Sequence, residues 1–394
     1  MIDVQKARDE TPGAENVLHF NNAGAALMPR IVVDAIKDHI DLEAKVGGYE
    51  AADKTRDADA NIYKAIANLI NCESNEVAFV ENATVGWSSA FYGLASTFKP
   101  GDRILTTQSE YSSNYIAYLQ IVARTGIQIG VIPNDETGAL SPSALENMID
   151  DRVKLISITH IPTNGGLTNP AAAVGKIANM AGIPYLLDAC QSVGQMPINV
   201  SEIGCDFLSA TGRKYLRGPR GTGFLYASAG MIEKFEPPVL DNHAATWTGR
   251  DTYEIRKDAK RFENWENFMA GKVALGVAID YANALGLDHI YARNLYLSNL
   301  LRDVLSQTPG VTVRDLGANP CAIVTFTVDG INANEIKARM NKHKINITHS
   351  TLFSTRLDME NRNLNAVVRA SLHYYNTEEE IDRFINILSA EITV

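Results

Sequence analysis

Short apolar runs alternate with longer amphipathic stretches through the first half of the chain. The runs are rich in Val, Ile and Leu and are flanked by Gly, Pro and Asp, a composition that is typical of buried strands. They lie at residues 76–80, 103–106, 128–132, 154–159, 185–187 and 223–226. Each run is too short for an ordinary helix, so the pattern predicts strands of one sheet.

Helical periodicity fills the intervals between these runs, at residues 85–97, 113–125, 142–148 and 172–180. A strand–helix–strand alternation predicts an α/β fold, with a doubly wound, mostly parallel sheet covered by helices on both faces. Ligand sites in such sheets lie beyond the carboxyl ends of the strands. The turns that follow the strands are therefore expected to carry the chemistry.

The pattern changes after about Pro238. Long helical patterns at 269–285 and 288–305 precede a strand at 322–328, a helix at 333–343, a strand near 345–348 and a helix near 378–390. Thr377 and Glu380 form a T-x-x-E capping box for this last helix. We expect residues 18–255 to form a large domain, and residues 1–17 together with 256–394 to form a smaller α+β domain.

Charge and composition exclude several function classes. The 394 residues include 36 Lys and Arg against 46 Asp and Glu, a net charge of −10, which argues against a nucleic-acid or anionic-membrane binder. The chain has no run of 18 apolar residues and no apolar signal region near its start. Its four cysteines form no CxxC motif and its eight histidines no HExxH motif, so no metal site is predicted. We expect a cytoplasmic protein with free thiols.

Residues 209–226 carry the most informative chemistry. Lys214 lies between a small polar turn and a glycine-rich loop, and Asp188 ends the run at 185–187. Pyridoxal phosphate needs such a pair, because an amine forms a Schiff base with its aldehyde and a carboxylate keeps its pyridine nitrogen protonated. A surface lysine and a helix-capping aspartate are the alternatives for each residue alone. The two residues in this order favour the cofactor.

These residues, together with the segments 19–24 and 369–377, resemble the class V aminotransferase superfamily of fold type I pyridoxal-phosphate enzymes. That superfamily includes cysteine desulfurases, cysteine C–S lyases and isopenicillin-N epimerase. The resemblance covers nearly the whole chain, and its most specific parts are the motifs Asp188-x-x-Gln191 and Thr211-Gly-Arg-Lys214. It implies a seven-stranded sheet in the large domain, pyridoxal phosphate as cofactor, an amino acid as the small-molecule substrate and a homodimer with active sites at the subunit interface.

The resemblance also implies individual roles. The catalytic residues would be Lys214, Asp188 and Tyr111. The cofactor would be bound by Ala83, Thr84, Tyr111, Asn164, Asp188, Gln191, Thr211, Arg213 and Lys214. The substrate would be bound by Asn22 and Arg369. A one-residue offset would place Thr163 instead of Asn164 near the ring hydroxyl.

Three of these assignments have simpler structural alternatives. Ala83 and Thr84 follow a strand and open a helix, whose free N–H groups attract anions, although Asn82 could simply cap that helix. Tyr111 would stack over the cofactor ring, but it could instead be a core residue. Arg369 would bind the substrate carboxylate through a bidentate contact of its guanidinium, or it could form an internal salt bridge.

Two departures from the desulfurase pattern bear on the reaction. Desulfurases of the superfamily store sulfur on a loop cysteine shortly before the carboxylate-binding arginine, and here residues 348–358 contain no cysteine. Desulfurases also have a Gly-Thr stretch that reaches the partner subunit's phosphate. Residues 261–267 lack that stretch, and Asn267 is the candidate replacement.

The resemblance implies an enzyme that acts on an amino acid. The missing loop cysteine favours β-elimination, the reaction of a C–S lyase, on cysteine or a cysteine derivative. Transamination and epimerisation are the alternatives, because Lys214 could serve all three reactions. The presence of both Lys214 and Asp188 argues against a non-catalytic module.

Overall fold

The computed structural model describes residues 2–393 of the chain. Its strands are β1 (Leu18–His19), β2 (Val77–Val80), β3 (Arg103–Thr107), β4 (Gln128–Ile132), β5 (Val153–Thr159), β6 (Tyr185–Asp188), β7 (Phe207–Thr211), β8 (Gly223–Ala227), β9 (Ala245–Gly249), β10 (Thr252–Ile255), β11 (Val311–Val313), β12 (Ile323–Val328), β13 (Ile345–Asn346), β14 (Thr348–Thr351) and β15 (Ala366–Ser371). Its α-helices are α1 (Val4–Asp9), α2 (Arg30–Val46), α3 (Gly48–Lys54), α4 (Arg56–Ile70), α5 (Ala83–Ala95), α6 (Ser112–Thr125), α7 (Pro142–Met148), α8 (Ala171–Ala181), α9 (Val200–Ile203), α10 (Ala229–Ile232), α11 (Met269–Leu285), α12 (Leu287–Gln307), α13 (Ala333–Lys342), α14 (Arg356–Asn361) and α15 (Glu378–Ile392).

Seven strands form one large sheet in the order β2-β8-β7-β6-β5-β3-β4. The strands from β7 to β4 in this order run parallel, and β8 is antiparallel to both of its neighbours. Parallel neighbours need crossover connections, which α6, α7, α8 and α9 supply. The predicted seven-stranded, mostly parallel sheet is confirmed.

The central strands read as continuous apolar runs because helices cover both faces of the sheet. Successive residues of a strand point to opposite faces. Leu186 of β6 therefore packs in one apolar cluster with Trp87 of α5, and Leu187 packs in another with Ile66 of α4 and Val174 of α8. All of these side chains are buried, which is the doubly wound arrangement expected from the sequence.

A second core lies around a four-stranded antiparallel sheet in the order β11-β12-β15-β14. Phe326 of β12 packs edge-on against Phe384 of α15, with ring centroids 6.4 Å apart. Arg369 of β15 lies opposite Thr325 of β12 and Thr348 of β14. The sheet thus places this arginine on an inner strand, where its side chain is buried.

The N-terminal segment packs into this second core through Leu18 and Phe20 rather than into the large sheet. β1 pairs in parallel with β13, and Asn21 bridges to Ser371 at the end of β15. The predicted capping box at the start of α15 is present, with Thr377 and Glu380 each accepting from the other's backbone N–H.

The structure also contains elements that the periodicity did not predict. β7 is one of them. Its last residues, Ser209 to Thr211, are small or polar and predict a turn, yet they form a strand and all of them are buried. Helices α2, α3 and α4 are others. Leu275 and Ile279 of α11 lie after residue 255 in the chain but belong to the core of the large sheet. The domain division after residue 255 stays a prediction.

The strand order brings several chain segments to one edge of the large sheet. The carboxyl ends of β6 and β7 lie side by side, because Asp188 is the register partner of Ser209. β2 leads at the same edge into α5, which begins at Ala83. No helix within residues 2–393 is long and apolar enough to cross a membrane.

Candidate active site

A cleft of about 300 Å³ opens where β6 and β7 end, beside the first turn of α5. It is lined by Glu81, Asn82, Ala83, Thr84, Tyr111, Cys190, Thr211, Arg213, Lys214, Arg220 and Gly221. Six of these were candidates from the sequence: Ala83, Thr84, Tyr111, Thr211, Arg213 and Lys214. The fold therefore brings together residues that lie far apart in the chain.

Lys214 follows β7 by three residues and is half-buried in the cleft. Burial lowers the pKa of its amine, and the positive charges of Arg213 and Arg369 lower it further, while Asp188 opposes them. A lower pKa increases the share of the neutral amine, which is the form that attacks a carbonyl group. The surroundings of Lys214 therefore suit a nucleophile.

Asp188 is buried at the end of β6, and its two oxygens are held by different donors. Oδ1 accepts from the backbone N–H of Cys190 at 3.0 Å, and Oδ2 accepts from Nδ2 of Asn114 at 3.0 Å. No Lys, Arg or His among residues 2–393 forms an ion pair with it. Its carboxylate can therefore form an ion pair with a positively charged ligand group, such as a protonated pyridine nitrogen.

The first turn of α5 and the loop after β7 form one end of the cleft. Asn82 caps the helix by accepting from the N–H of Val85 at 3.1 Å, so the capping interpretation is correct, and Ala83 and Thr84 line the cleft beside it. Nη1 of Arg213 donates to Oγ1 of Thr211 at 3.0 Å. A helix N-terminus beside a guanidinium is suited to a phosphate dianion.

Arg220 lies at the same end of the cleft and was not identified from the sequence. It is exposed, and it makes no hydrogen bond or ion pair within the part of the chain that the structure describes. The signal that could have identified it is its position in the run Gly218-Pro-Arg-Gly221, directly before β8. It adds a second guanidinium to the proposed phosphate end.

Tyr111 precedes α6 and keeps 37% of its surface exposed, which is high for a tyrosine and leaves its ring available to a ligand. Gln191 is buried, and its Nε2 donates to the carbonyl of Ala23 at 3.2 Å. Its Oε1 is buried without a hydrogen-bond partner among residues 2–393. A buried unpaired oxygen costs free energy, so a bound ligand that supplies a donor would stabilise it.

Five candidates lie outside the lining of the cleft: Asp188 and Gln191, described above, and Asn164, Asn22 and Arg369. Nδ2 of Asn164 donates to Oγ1 of Thr355 at 2.9 Å, which connects it to the segment after β14. Asn22 is fully buried: its Nδ2 donates to the carbonyl of Ser371 at 2.8 Å and its Oδ1 accepts from Tyr375. The Asn22 amide is occupied by the protein, whereas Oδ1 of Asn164 is buried without a hydrogen-bond partner among residues 2–393. The predicted roles of both residues stay predictions.

Arg369 is buried and has no acidic partner within residues 2–393, so the alternative of an internal salt bridge is not what the structure shows. Its Nη1 donates to the hydroxyl of Thr163, and its Nε is buried without a partner. Burial lowers the pKa of its guanidinium to about 10. A buried arginine of this kind is suited to an anionic ligand. The contact also places Thr163, the alternative to Asn164, beside the candidate substrate-binding arginine.

The comparisons with known proteins assign the family. Residues 18–384 match the model of the family described as Aminotransferase class-V, and the chain belongs to that family. It is 27% identical to a probable cysteine desulfurase of Pyrococcus abyssi, over 98% of this chain and 96% of that protein. It is 30% identical to a probable cysteine desulfurase of Synechocystis, over 95% of this chain and 91% of that protein.

Solved structures agree on the fold. The apo cysteine desulfurase from Thermococcus onnurineus has a TM-score of 0.93 at 26% identity and covers 100% of this chain and 99% of its own. The cystine C–S lyase C-DES, solved with its product cysteine persulfide, has a TM-score of 0.86 at 24% identity. The match covers 96% of this chain and 99% of the C-DES chain. At that identity the likeness to C-DES shows the fold alone.

The chain is therefore a pyridoxal-phosphate enzyme, as predicted. The residues in and beside the cleft fit this cofactor. Lys214, the carboxylate of Asp188, which has no cationic partner among residues 2–393, and the unpaired Oε1 of Gln191 offer what its aldehyde, ring nitrogen and ring hydroxyl require. When bound, the cofactor supplies an aldehyde that links to amines and a ring that takes up electrons from the substrate.

We expect Lys214→Ala to lose the covalent link to the cofactor and at least about a thousandfold in turnover of the amino-acid substrate, because the variant lacks both the nucleophile and the proton carrier. Visible absorbance and steady-state turnover measure the two losses, and circular dichroism checks the fold. Lys176→Ala, on the exposed face of α8, is the control and should keep both properties. More than a few per cent of residual turnover in the Lys214 variant would overturn the assignment.

Proposed function

We propose that the enzyme is a C–S lyase that catalyses β-elimination on cysteine or a cysteine derivative. The observation that carries the proposal is Arg369, a buried arginine without an acidic partner whose charge acts on the Lys214 amine. An amino acid that is bound through its carboxylate at Arg369 would place its Cα beside the lysine. The relatives named cysteine desulfurases support cysteine as the substrate class.

Each site residue then has a defined task. Lys214 binds the cofactor and takes the proton from Cα. Asp188 holds the proton on the pyridine nitrogen, which makes the ring a better acceptor of electrons. Tyr111 covers the ring and keeps its plane fixed, while Arg213 and Arg220, with the N-terminus of α5, hold the phosphate.

The fate of sulfur separates a lyase from a desulfurase. In β-elimination the Cα–H and Cβ–S bonds break, and sulfur leaves with the electron pair of the Cβ–S bond. The remaining enamine takes up water and yields pyruvate and ammonia. A desulfurase instead needs a nucleophilic thiolate that accepts sulfur as a persulfide.

The four thiols of the chain are poorly suited to that second role. Cys205 and Cys321 are fully enclosed, and burial raises the pKa of both thiols. Burial also raises the pKa of Cys72 to about 12, with Glu76 adding to the effect. Cys190 lines the cleft, but burial and the negative charge of Asp188 raise its pKa as well. We infer that sulfur leaves into solution.

We further propose that the enzyme is a homodimer. Trp247 and Tyr253 are paired across the β9–β10 hairpin and are 80% and 55% exposed, and Tyr49 and Trp265 line a nearby groove at 74% and 53%. Exposed aromatic residues at this density are typical of an interface. The same groove includes Asn267, the candidate contact to the partner's phosphate.

Light scattering of the cofactor-loaded protein should give the mass of a dimer. Trp265→Ser combined with Tyr49→Ser should shift it toward the monomer, because both changes remove apolar area from the interface. Met180→Ser, at an equally exposed position on α8, should leave the mass unchanged. A monomeric wild-type protein at micromolar concentration would contradict the proposal.

A cytoplasmic location is also proposed. The four cysteines are all unpaired, which is typical of proteins in a reducing compartment.

Incubation with cysteine should yield sulfide, pyruvate and ammonia in equal amounts, and mass spectrometry of the protein should show no persulfide. Cys72→Ala, Cys205→Ala and Cys321→Ala should each keep this product pattern. A persulfide that is required for turnover, or alanine as the carbon product, would contradict the lyase proposal and identify the enzyme as a desulfurase. Accumulation of a keto acid with aminated cofactor would identify an aminotransferase, and D-cysteine an epimerase.

We expect Arg369→Ala to raise KM for cysteine about tenfold to a hundredfold, since a hydrogen bond to a charged group contributes about 1.5–3 kcal/mol. Cysteamine lacks the carboxylate, so its binding, followed by the change in cofactor absorbance, should be nearly unaffected. Arg356→Ala, which removes an exposed arginine of α14, is the control. Equal losses for cysteine and cysteamine would indicate a structural role for Arg369.

A further inference from the structure

Glu110 is a buried carboxylate in the turn between β3 and α6, and the catalytic roles proposed above do not use it. It has no Lys, Arg or His partner within residues 2–393. Its oxygens accept from Oγ1 of Thr106 at 2.8 Å, Oγ1 of Thr159 at 2.5 Å, Nδ2 of Asn114 at 2.8 Å and the backbone N–H of Tyr111 at 2.9 Å. Four donors thus converge on one buried acid.

Two of these contacts lead directly to the cofactor cleft. Nδ2 of Asn114 donates to Oε1 of Glu110 at 2.8 Å and to Oδ2 of Asp188 at 3.0 Å, so one amide group bridges the two carboxylates. The N–H that Glu110 accepts from Tyr111 belongs to the residue whose ring lines the cleft. Glu110 therefore contacts both the residue that holds Asp188 and the residue proposed to cover the cofactor ring.

We propose that Glu110 is a positioning residue that acts through Asn114 on Asp188 and thereby strengthens the hold of Asp188 on the proton of the cofactor's ring nitrogen. This inference rests on the role of Asp188 in the proposed function. Glu110 itself does not touch the cofactor or the substrate.

The physical argument concerns charge as well as geometry. The negative charge of Glu110 lies close to Asp188 in a buried region, where charges are poorly screened. Above the pKa of Glu110, which burial raises to about 7, its ionised carboxylate adds a negative charge that stabilises the positive charge of a protonated ring nitrogen beside Asp188. The amide bridge keeps the two acids at a fixed separation and orients Oδ2 of Asp188.

The burial of Glu110 supports a functional rather than a purely structural role. Burial raises its pKa to about 7, and the Asp188 charge adds to this effect, although the donors from Thr159 and Asn114 oppose it. The charge of Glu110 contributes to the raised pKa of the buried Tyr118 phenol, whose hydroxyl donates to Oγ of Ser157 at 2.8 Å. A neutral glutamine has nearly the same shape and could keep the bonds from Tyr111 and Asn114, so the fold alone does not require a charge at this position.

The test uses Glu110→Gln in the cofactor-loaded enzyme. We expect the variant to fold and to bind the cofactor, with the pH midpoint of its visible absorbance raised by about one unit. The midpoint should rise because a ring nitrogen that holds its proton less firmly withdraws less electron density from the lysine–cofactor link. We also expect kcat to fall about tenfold with KM nearly unchanged, a loss typical of residues that orient a group in direct contact with a cofactor.

Asp206→Asn is the matched control. Asp206 is a partly buried carboxylate whose pKa is raised by burial, and it accepts from the N–H of Tyr185 at the opposite end of β6. Its substitution should change thermal stability without moving the absorbance midpoint. If Asp206→Asn and Glu110→Gln move the midpoint equally, the effect is structural and the proposal is wrong.

A second variant tests the path through Asn114. Asn114→Ala removes the bridge while Glu110 stays in place, and it should raise the midpoint in the same direction. In that background Glu110→Gln should add little, because the two residues act in series. Fully additive shifts, or a wild-type midpoint in Asn114→Ala, would overturn the proposal even if Glu110→Gln failed to load cofactor. These readouts do not depend on the reaction products, so they are separate from the test of lyase activity.

Discussion

The amine of Lys214 has to be reactive in a cleft where it is incompletely hydrated, and the surrounding structure is organised around that requirement. Burial disfavours its charged form, and Arg213 and Arg369 add to the effect, while Asp188 acts in the opposite direction. The chain as a whole carries a net charge of −10, yet this cleft collects Lys214, Arg213 and Arg220. The local excess of positive charge matches a cofactor with a phosphate and a substrate with a carboxylate.

The sheet explains how such distant residues meet. Parallel strands end at the same edge, so Asp188 on β6 and the loop after β7 become neighbours, and α5 adds the N-terminus of a helix. The smaller sheet contributes Arg369 from its inner strand β15, and Thr163 of the loop between β5 and α8 accepts a hydrogen bond from that arginine. The site therefore depends on the docking of the two cores as much as on either core alone.

The parts of this structure that depend on local sequence patterns could be predicted from the sequence. The apolar runs predicted six strands of the large sheet, and the order of Asp188 and Lys214 predicted the cofactor. β7 was missed because buried small and polar residues have no apolar periodicity. The Glu110–Asn114–Asp188 contacts could not be predicted, since the last of them joins residues that are 74 positions apart in the chain. Asn22 and Asn164 are engaged by residues that are distant in sequence, Ser371 and Thr355, which no local pattern reveals.

The central claim is that the Lys214 amine is the covalent attachment point of pyridoxal phosphate. The most direct measurement reduces the cofactor-loaded protein with borohydride, digests it and maps the modified peptide by mass spectrometry. The account predicts one reduced pyridoxyl phosphate group per chain, on the peptide that contains Lys214. A modification at another lysine, such as the buried Lys272, or no stable modification at all, would contradict it.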